Sequence, residues 1–173
     1  AIASSVNGFF YFHDLEGGVT TEVDLNGFFR LFGQGQGGIF DFEVVPISDE
    51  SFRLYFTVSI ATDSGAALSV HSLEVNHAVN PPAMSKHRKH LELPSVDSLY
   101  HFGGAMKIVD RTMFISHGDR LERLKAQSRE DYNGKMLRLT ILDDGELAAH
   151  PNNNYLPGLP LVFSMGHRNP QGL

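Results

Sequence analysis

Short apolar runs, cut by glycine and by turn dipeptides, dominate the pattern along the chain. Residues 8–12, 38–45 and 52–60 are rich in aromatic and β-branched side chains, and the latter two alternate in part between apolar and polar positions. A period of two is what a half-buried strand requires, so all three are expected to be strands. Residues 67–75 alternate almost cleanly, and residues 87–93, 104–109, 112–116, 135–142 and 160–165 are further strand candidates. Asn7-Gly8, Asn26-Gly27, Asn133-Gly134 and Asp144-Gly145 supply positive φ between these runs at small steric cost, and Val109-Asp110-Arg111-Thr112 suits a tight connection. In residues 120–127, Leu121 and Leu124 stand three apart with no breaker, which fits a short helix and a polar loop equally well. Residues 76–85, with Pro81-Pro82, and residues 151–160 read as loops. Many short strands at this spacing predict an all-β fold: a sandwich, a barrel or a propeller.

The chain has 173 residues, which suits one domain or part of a larger one. Hydrophobic residues at 42% and charged residues at 20% belong to a globular chain rather than a disordered one. A net charge of -6 is poorly suited to non-specific nucleic-acid binding, which depends on neutralising phosphates. No run approaches the roughly 18 apolar residues of a membrane span. The absence of cysteine removes disulfides, thiolate zinc sites and thiol catalysis together. Residues 1–30 show no basic start followed by an apolar run, so no signal peptide is visible. The chain opens on Ala1-Ile2-Ala3 and stops at Gly172-Leu173 directly after a strand-like run, so both ends are expected to be cut.

Several motifs carry possible chemistry. Gly33-Gln34-Gly35-Gln36-Gly37-Gly38 fits the dinucleotide pattern G-x-G-x-x-G, but a strand rather than a helix is expected to follow it. The glycines then form a flexible loop, or one that lets a flat ligand approach the backbone. Lys86-His87-Arg88-Lys89-His90 suits the solvated, edge-protecting face of a strand better than an anion grip. His87 and His90 are three apart, which puts them on opposite faces of a strand, and no histidine spacing suits a metal. His101 sits where a polar loop meets Gly103-Gly104 and a strand. It is either structural or a general base beside glycines that leave room for a ligand. Gly118-Asp119 is a turn in which the carboxylate ties the loop or lines a pocket. In residues 166–173, Arg168 offers a planar charged fork, Asn169 both donates and accepts, and Pro170 holds Asn169 extended. The plain reading of this segment is an ordinary turn with a surface arginine.

Taken in order, LPSVDSLYHFGGAM (93–106), ISHGDR (115–120), NGKMLRL (133–139) and GHRNPQGL (166–173) resemble the soluble quinoprotein glucose/sorbosone dehydrogenases. These include the pyrroloquinoline quinone (PQQ)-dependent aldose sugar dehydrogenases. GQGGIFDF (35–42) is similar to that family's entry to an early blade strand. The resemblance implies an all-β fold, part of a six-bladed β-propeller of four-stranded antiparallel blades. At about 40–45 residues per blade the chain supplies roughly four blades at most, an N-terminal to central part of the ring.

The resemblance also implies site residues. His101 matches the base that takes the proton of the anomeric hydroxyl as hydride passes to the quinone. Arg168 and Asn169 match the pair that contacts PQQ, with Arg168 stabilising negative charge on the quinone oxygen. Gln36 and Tyr100 fall on the substrate side, and Gly118 with Asp119 shapes the pocket. The cofactors implied are PQQ and Ca²⁺, with no metal ligand in this chain and the calcium ligands C-terminal to it. The partners implied are an aldose sugar and an electron acceptor, the product is a lactone, and the location is periplasmic or secreted. The chain on its own is expected to be inactive. Three departures stand out: His117 replaces an apolar residue, Val45-Pro46-Ile47-Ser48 degrades a family pattern, and Tyr100 stands where glucose enzymes carry an acid. The alternative is a non-catalytic propeller of the same superfamily that binds a protein or glycan. A metal-dependent lactone hydrolase finds no ligand set in the sequence.

Overall fold

The computed structural model describes residues 1–153 and 158–173. Its strands form three antiparallel sheets in chain order. The first holds β1 (Ile2–Ser4), β2 (Phe9–His13) and β3 (Thr20–Asp24). The second is a meander of β4 (Ile39–Ser48), β5 (Ser51–Thr62), β6 (Gly65–Asn76) and β7 (Ala83–Glu92). The third runs β8 (Gly103–Val109), β9 (Thr112–His117), β10 (Lys135–Ile141) and β11 (Leu147–Ala149). β12 (Val162–Met165) also pairs β10: β11 covers the Leu139 end and β12 the Lys135 end. The architecture is a partial β-propeller. Three sheets appear where the blade length allowed four, because the connections through 93–102 and 118–134 use chain that adds no strand.

Strand alternation explains the core. On β5, Leu54, Phe56, Val58 and Ile60 point into a cluster with Phe10 and Phe12 of the first sheet, while Tyr55 points the other way. On β6, Ala67, Leu73 and Val75 join that first cluster, whereas Leu68 and Val70 join Tyr55, Met106, Met113, Ile115, Leu137 and Leu139 toward the third sheet. The central sheet is therefore buried on both faces. This is why residues 52–60 alternate only partly: polar positions must also be satisfied inside. Thr57 donates to Gly104 O at 2.5 Å, and the Tyr55 hydroxyl donates to Gly145 O at 2.8 Å. Both bonds join the second sheet to the third.

Three strands escaped the pattern. β1 and β11 have three residues each, too few to show a period, and β3 is Thr-Thr-Glu-Val-Asp, with a single apolar side chain. Residues 120–127 are mostly turn, with a single turn of 3-10 helix at Lys125–Gln127. Leu121 and Leu124 are 54% and 91% exposed, so no apolar face holds a longer helix together. The loop expected at 76–85 ends earlier, since β7 begins at Ala83. Part of the loop expected at 151–160 lies outside the described residues.

Candidate functional site

Four segments meet at one end of the second and third sheets: the glycine loop 33–38, the stretch 98–104 entering β8, the turn 116–121 leaving β9, and residues 166–170 after β12. Their backbones are laced together. Gln36 N–H donates to Leu99 O at 2.8 Å, and Gly118 N–H to Phe102 O at 3.0 Å. Asp119 N–H donates to Arg168 O at 2.7 Å, and Gly134 N–H to Gly118 O at 2.9 Å. Ser116 donates to Pro170 O at 2.8 Å and accepts from Ala105 N–H at 2.9 Å.

The glycine loop leads straight into β4, as expected, and no helix follows it to meet a pyrophosphate. Protein packs directly against its backbone at two of these glycines. A side-chain carbon at Gly35 would lie 2.3 Å from Leu99 O, and one at Gly37 would lie 2.2 Å from Phe32 O. This contact sets Gln36 against the 98–104 stretch.

His101 lies at the centre. Its backbone is left-handed, φ 56, and its N–H donates to Gln36 Oε1 at 2.8 Å. Its Nδ1 is 2.7 Å from Asp119 Oδ1, and the Asp119 side chain is only 2% exposed. Because a carboxylate only accepts, this contact selects the tautomer with the proton on Nδ1, the one in which Nε2 carries the lone pair. Nε2 has no hydrogen-bond partner among the described residues and is not sealed from solvent. Asp119 Oδ1 also accepts Leu121 N–H at 2.9 Å, so the carboxylate that orients the ring is itself held by its own turn.

Asn169 Oδ1 accepts Gly103 N–H at 3.1 Å, and its Nδ2 reaches Gln36 Oε1 at 3.5 Å. Arg168 is exposed, and its guanidinium forms no ion pair among the described residues. Tyr100 is 46% exposed, beside His101 in the chain. The structure thus brings His101, Gln36, Gly118, Asp119 and Asn169 into one connected set. It joins Arg168 to that set through its carbonyl and leaves Tyr100 on the rim. A shallow hollow of about 310 Å³ adjoins them, lined by Asp119, Arg123, His167 and Arg168. Another hollow, about 610 Å³, lies between the first sheet and the 77–82 stretch and shares none of these residues.

Two buried cations that the sequence pattern did not single out lie beneath the site. Arg120, 1% exposed, donates to Ala66 O at 3.1 Å, to Ser98 O at 2.7 Å and to Val96 O at 3.4 Å, and its Cζ stands 3.7 Å over the Phe102 ring. Burial brings its pKa down to about 10. Lys135, wholly buried, spends its three donors on Lys125 O, Ala126 O and Asn133 O at 2.9, 3.1 and 2.7 Å. Burial lowers its pKa as well. The only sequence signal for either was an otherwise unexplained cation directly after a Gly-Asp or Asn-Gly turn. His117 fills its apolar slot as a neutral imidazole. Burial first, and then the Arg120 charge, hold its pKa at about 4.

The histidines of the basic run do face opposite sides of β7. His87 meets His71 at 2.9 Å, and His90 meets Ser72 at 2.7 Å and Glu146 at 3.1 Å. Among the described residues no group of three or more His, Asp or Glu could hold a metal ion. No helix among them is long and apolar enough to cross a membrane.

Comparison with known proteins follows the same lines. Aldose sugar dehydrogenase YliI of Escherichia coli (strain K12) is 28% identical over 167 residues, 91% of this chain and 43% of that protein. A solved glucose dehydrogenase superposes with a TM-score of 0.79 at 23% identity, over 99% of this chain and 54% of that one. The PQQ-bound aldose sugar dehydrogenase of Streptomyces coelicolor superposes with a TM-score of 0.69 at 24% identity, over 97% of this chain and 47% of that one. These structures share the fold, and the chain spans about half the length of the proteins it matches or less. The sequence profile of the Glucose / Sorbosone dehydrogenase family matches residues 7–173, and the chain belongs to that family.

Proposed function

We propose that this chain is the part of a PQQ-dependent aldose dehydrogenase that carries its general base, His101, and a portion of its cofactor pocket. The observation that carries this reading is the His101–Asp119 pair. A buried carboxylate fixes Nδ1 as the donor at 2.7 Å, which leaves Nε2 as an acceptor without a hydrogen-bond partner among the described residues. A purely binding surface has no need of an imidazole oriented in this way.

The residues present fit PQQ, a flat tri-acid. Arg168 is an exposed guanidinium with no internal carboxylate to neutralise it among the described residues, so it is available to an anionic ligand. Asn169, tied through Oδ1 to Gly103, adds an amide N–H at the same place. When bound, PQQ supplies the two-electron acceptor that takes the hydride from the anomeric carbon and leaves a lactone. The protein's share is proton transfer and position. His101 Nε2 takes the anomeric hydroxyl proton, and the Asp119 carboxylate stabilises the imidazolium that results. Gln36 holds the His101 backbone and lies on the substrate side with Tyr100. Arg168 provides fixed positive charge where negative charge develops. The reading includes Ca²⁺ bound by ligands C-terminal to residue 173, an electron acceptor, and a periplasmic or secreted location.

The test is dye-linked aldose oxidation by the full-length protein reconstituted with PQQ and Ca²⁺, beside His101→Ala. The expected result is a kcat lower by roughly 10²–10⁴-fold in the variant, with PQQ still bound. A full-length protein that neither binds PQQ in titration nor oxidises any aldose would replace this reading with the non-catalytic propeller.

A further inference from the structure

We infer that Arg120 is a positioning residue: its buried guanidinium holds the loop that carries His101 in line with Asp119. The catalytic meaning of this inference rests on the reading above, but the geometry does not.

Three observations converge. First, a buried cation is costly unless its donors are used, and no ion pair to Arg120 forms among the described residues. Its two Nη atoms donate instead to main-chain carbonyls on two segments, Ala66 at the start of β6 and Val96 and Ser98 in the loop leading to His101, while the buried Nε has no hydrogen-bond partner among the described residues. Ala66 and Val96 already exchange backbone hydrogen bonds at 3.1 and 3.0 Å, so the guanidinium caps that bridge and extends it by two residues toward His101. Second, the guanidinium stands over the ring of Phe102, the residue after His101, with Cζ 3.7 Å from the ring centroid. It therefore grips the chain on both sides of the base. A lysine could not do this, since a compact ammonium cannot both reach carbonyls on two segments and stack on a ring.

Third, the backbone is strained where these contacts converge. His101, Arg120 and Leu121 are all left-handed, with φ of 56, 53 and 68, although none is glycine. Such residues persist only where their surroundings over-determine them. Here Asp119 Oδ1 captures Leu121 N–H, Gln36 Oε1 captures His101 N–H, and the Arg120 side chain pins the remaining corner. Asp119 and Arg120 are adjacent, so one turn presents both the carboxylate that orients the imidazole and the guanidinium that places its loop.

The test uses the full-length protein with Arg120→Gln and the milder Arg120→Lys. In the protein without PQQ, ¹⁵N NMR of the His101 ring reads the tautomer directly. The expected wild-type signature is a single Nδ1–H form, and both variants should show exchange between tautomers. In the reconstituted enzyme kcat should fall by about 10²-fold, with little change in KM for the aldose or in PQQ binding. If Arg120→Gln does not fold, Arg120→Lys carries both readouts. A folded variant of lowered stability that keeps the single tautomer and wild-type kcat would overturn the inference and leave Arg120 a packing residue. Absence of PQQ activity in the wild type would sink the functional reading alone, because the ring signature would still decide the role of Arg120.

Discussion

Gly118 lies directly against the His101 carbonyl. A side-chain carbon at position 118 would stand 2.0 Å from that oxygen and 2.6 Å from the carbonyl carbon, with Arg168 O at 3.1 Å. All three neighbours are backbone atoms and cannot swing aside. Gly118→Ala should therefore destabilise the protein by roughly 1–3 kcal/mol and move the His101 amide resonance. Gly27→Ala is the control, since nothing lies within 4 Å of the added carbon there and φ is not positive. Urea unfolding of the two variants checks this, and equal midpoints would contradict it.

Asp119→Asn keeps the shape of the side chain but removes the charge that fixes Nδ1–H. An amide can turn its NH₂ toward the ring and select the opposite tautomer, placing the proton on Nε2, where a base needs a lone pair. In the reconstituted full-length enzyme kcat should fall by at least about 10²-fold, with a smaller change in KM. An Asp119→Asn enzyme with wild-type kcat would remove the carboxylate from the proposed chemistry.

Stability should decline on mild acidification. Burial, and then the charge of Arg120, hold His117 at about 4. Burial, and then His87, Lys89 and His90, hold His71 at about 3, against the ordinary 6.5. A folded pKa below the unfolded one means that the unfolded chain takes up the proton first, so this stability is full above about pH 6.5 and is lost as pH falls toward the folded values. His117 alone contributes on the order of 3 kcal/mol by this linkage. The urea midpoint should be flat above about pH 7 and fall steadily between about pH 6.5 and 4. A midpoint that rose on acidification would contradict it.

Lys135→Met should be strongly destabilising despite its apolar surroundings. The ammonium satisfies the carbonyls of Lys125, Ala126 and Asn133, and a thioether leaves them buried without that donor. A loss of roughly 3 kcal/mol is expected, with faster amide exchange through 125–134. Hydrogen exchange followed by mass spectrometry reads both effects, and wild-type protection in that segment would argue against the role.

The strands legible in the sequence are those whose side chains answer to one or two buried faces. The runs at 38–45, 52–60, 67–75 and 104–109 became β4, β5, β6 and β8 with small shifts at their ends. β3 was not legible, because its strand character comes from its neighbour: Tyr11 and Phe10 of β2 pair with Glu22 and Val23. The segment at 120–127 misled for the same reason, since the spacing of Leu121 and Leu124 says nothing about whether another surface will cover them.

The site divides in the same way. Residue chemistry alone marked His101 beside its glycines, the Gly118-Asp119 turn, and the fork of Arg168 with Asn169, because such groups announce themselves by type and by neighbouring turn residues. Only the tertiary structure showed that Asp119 fixes Nδ1 of His101, that Gln36 holds the His101 backbone, and that Arg120 and Lys135 are spent on carbonyls. Those relations join residues from 2 to 65 positions apart in the chain. Hydrogen-bond partners are chosen by distance in space, and a linear pattern records only which groups are available to be chosen.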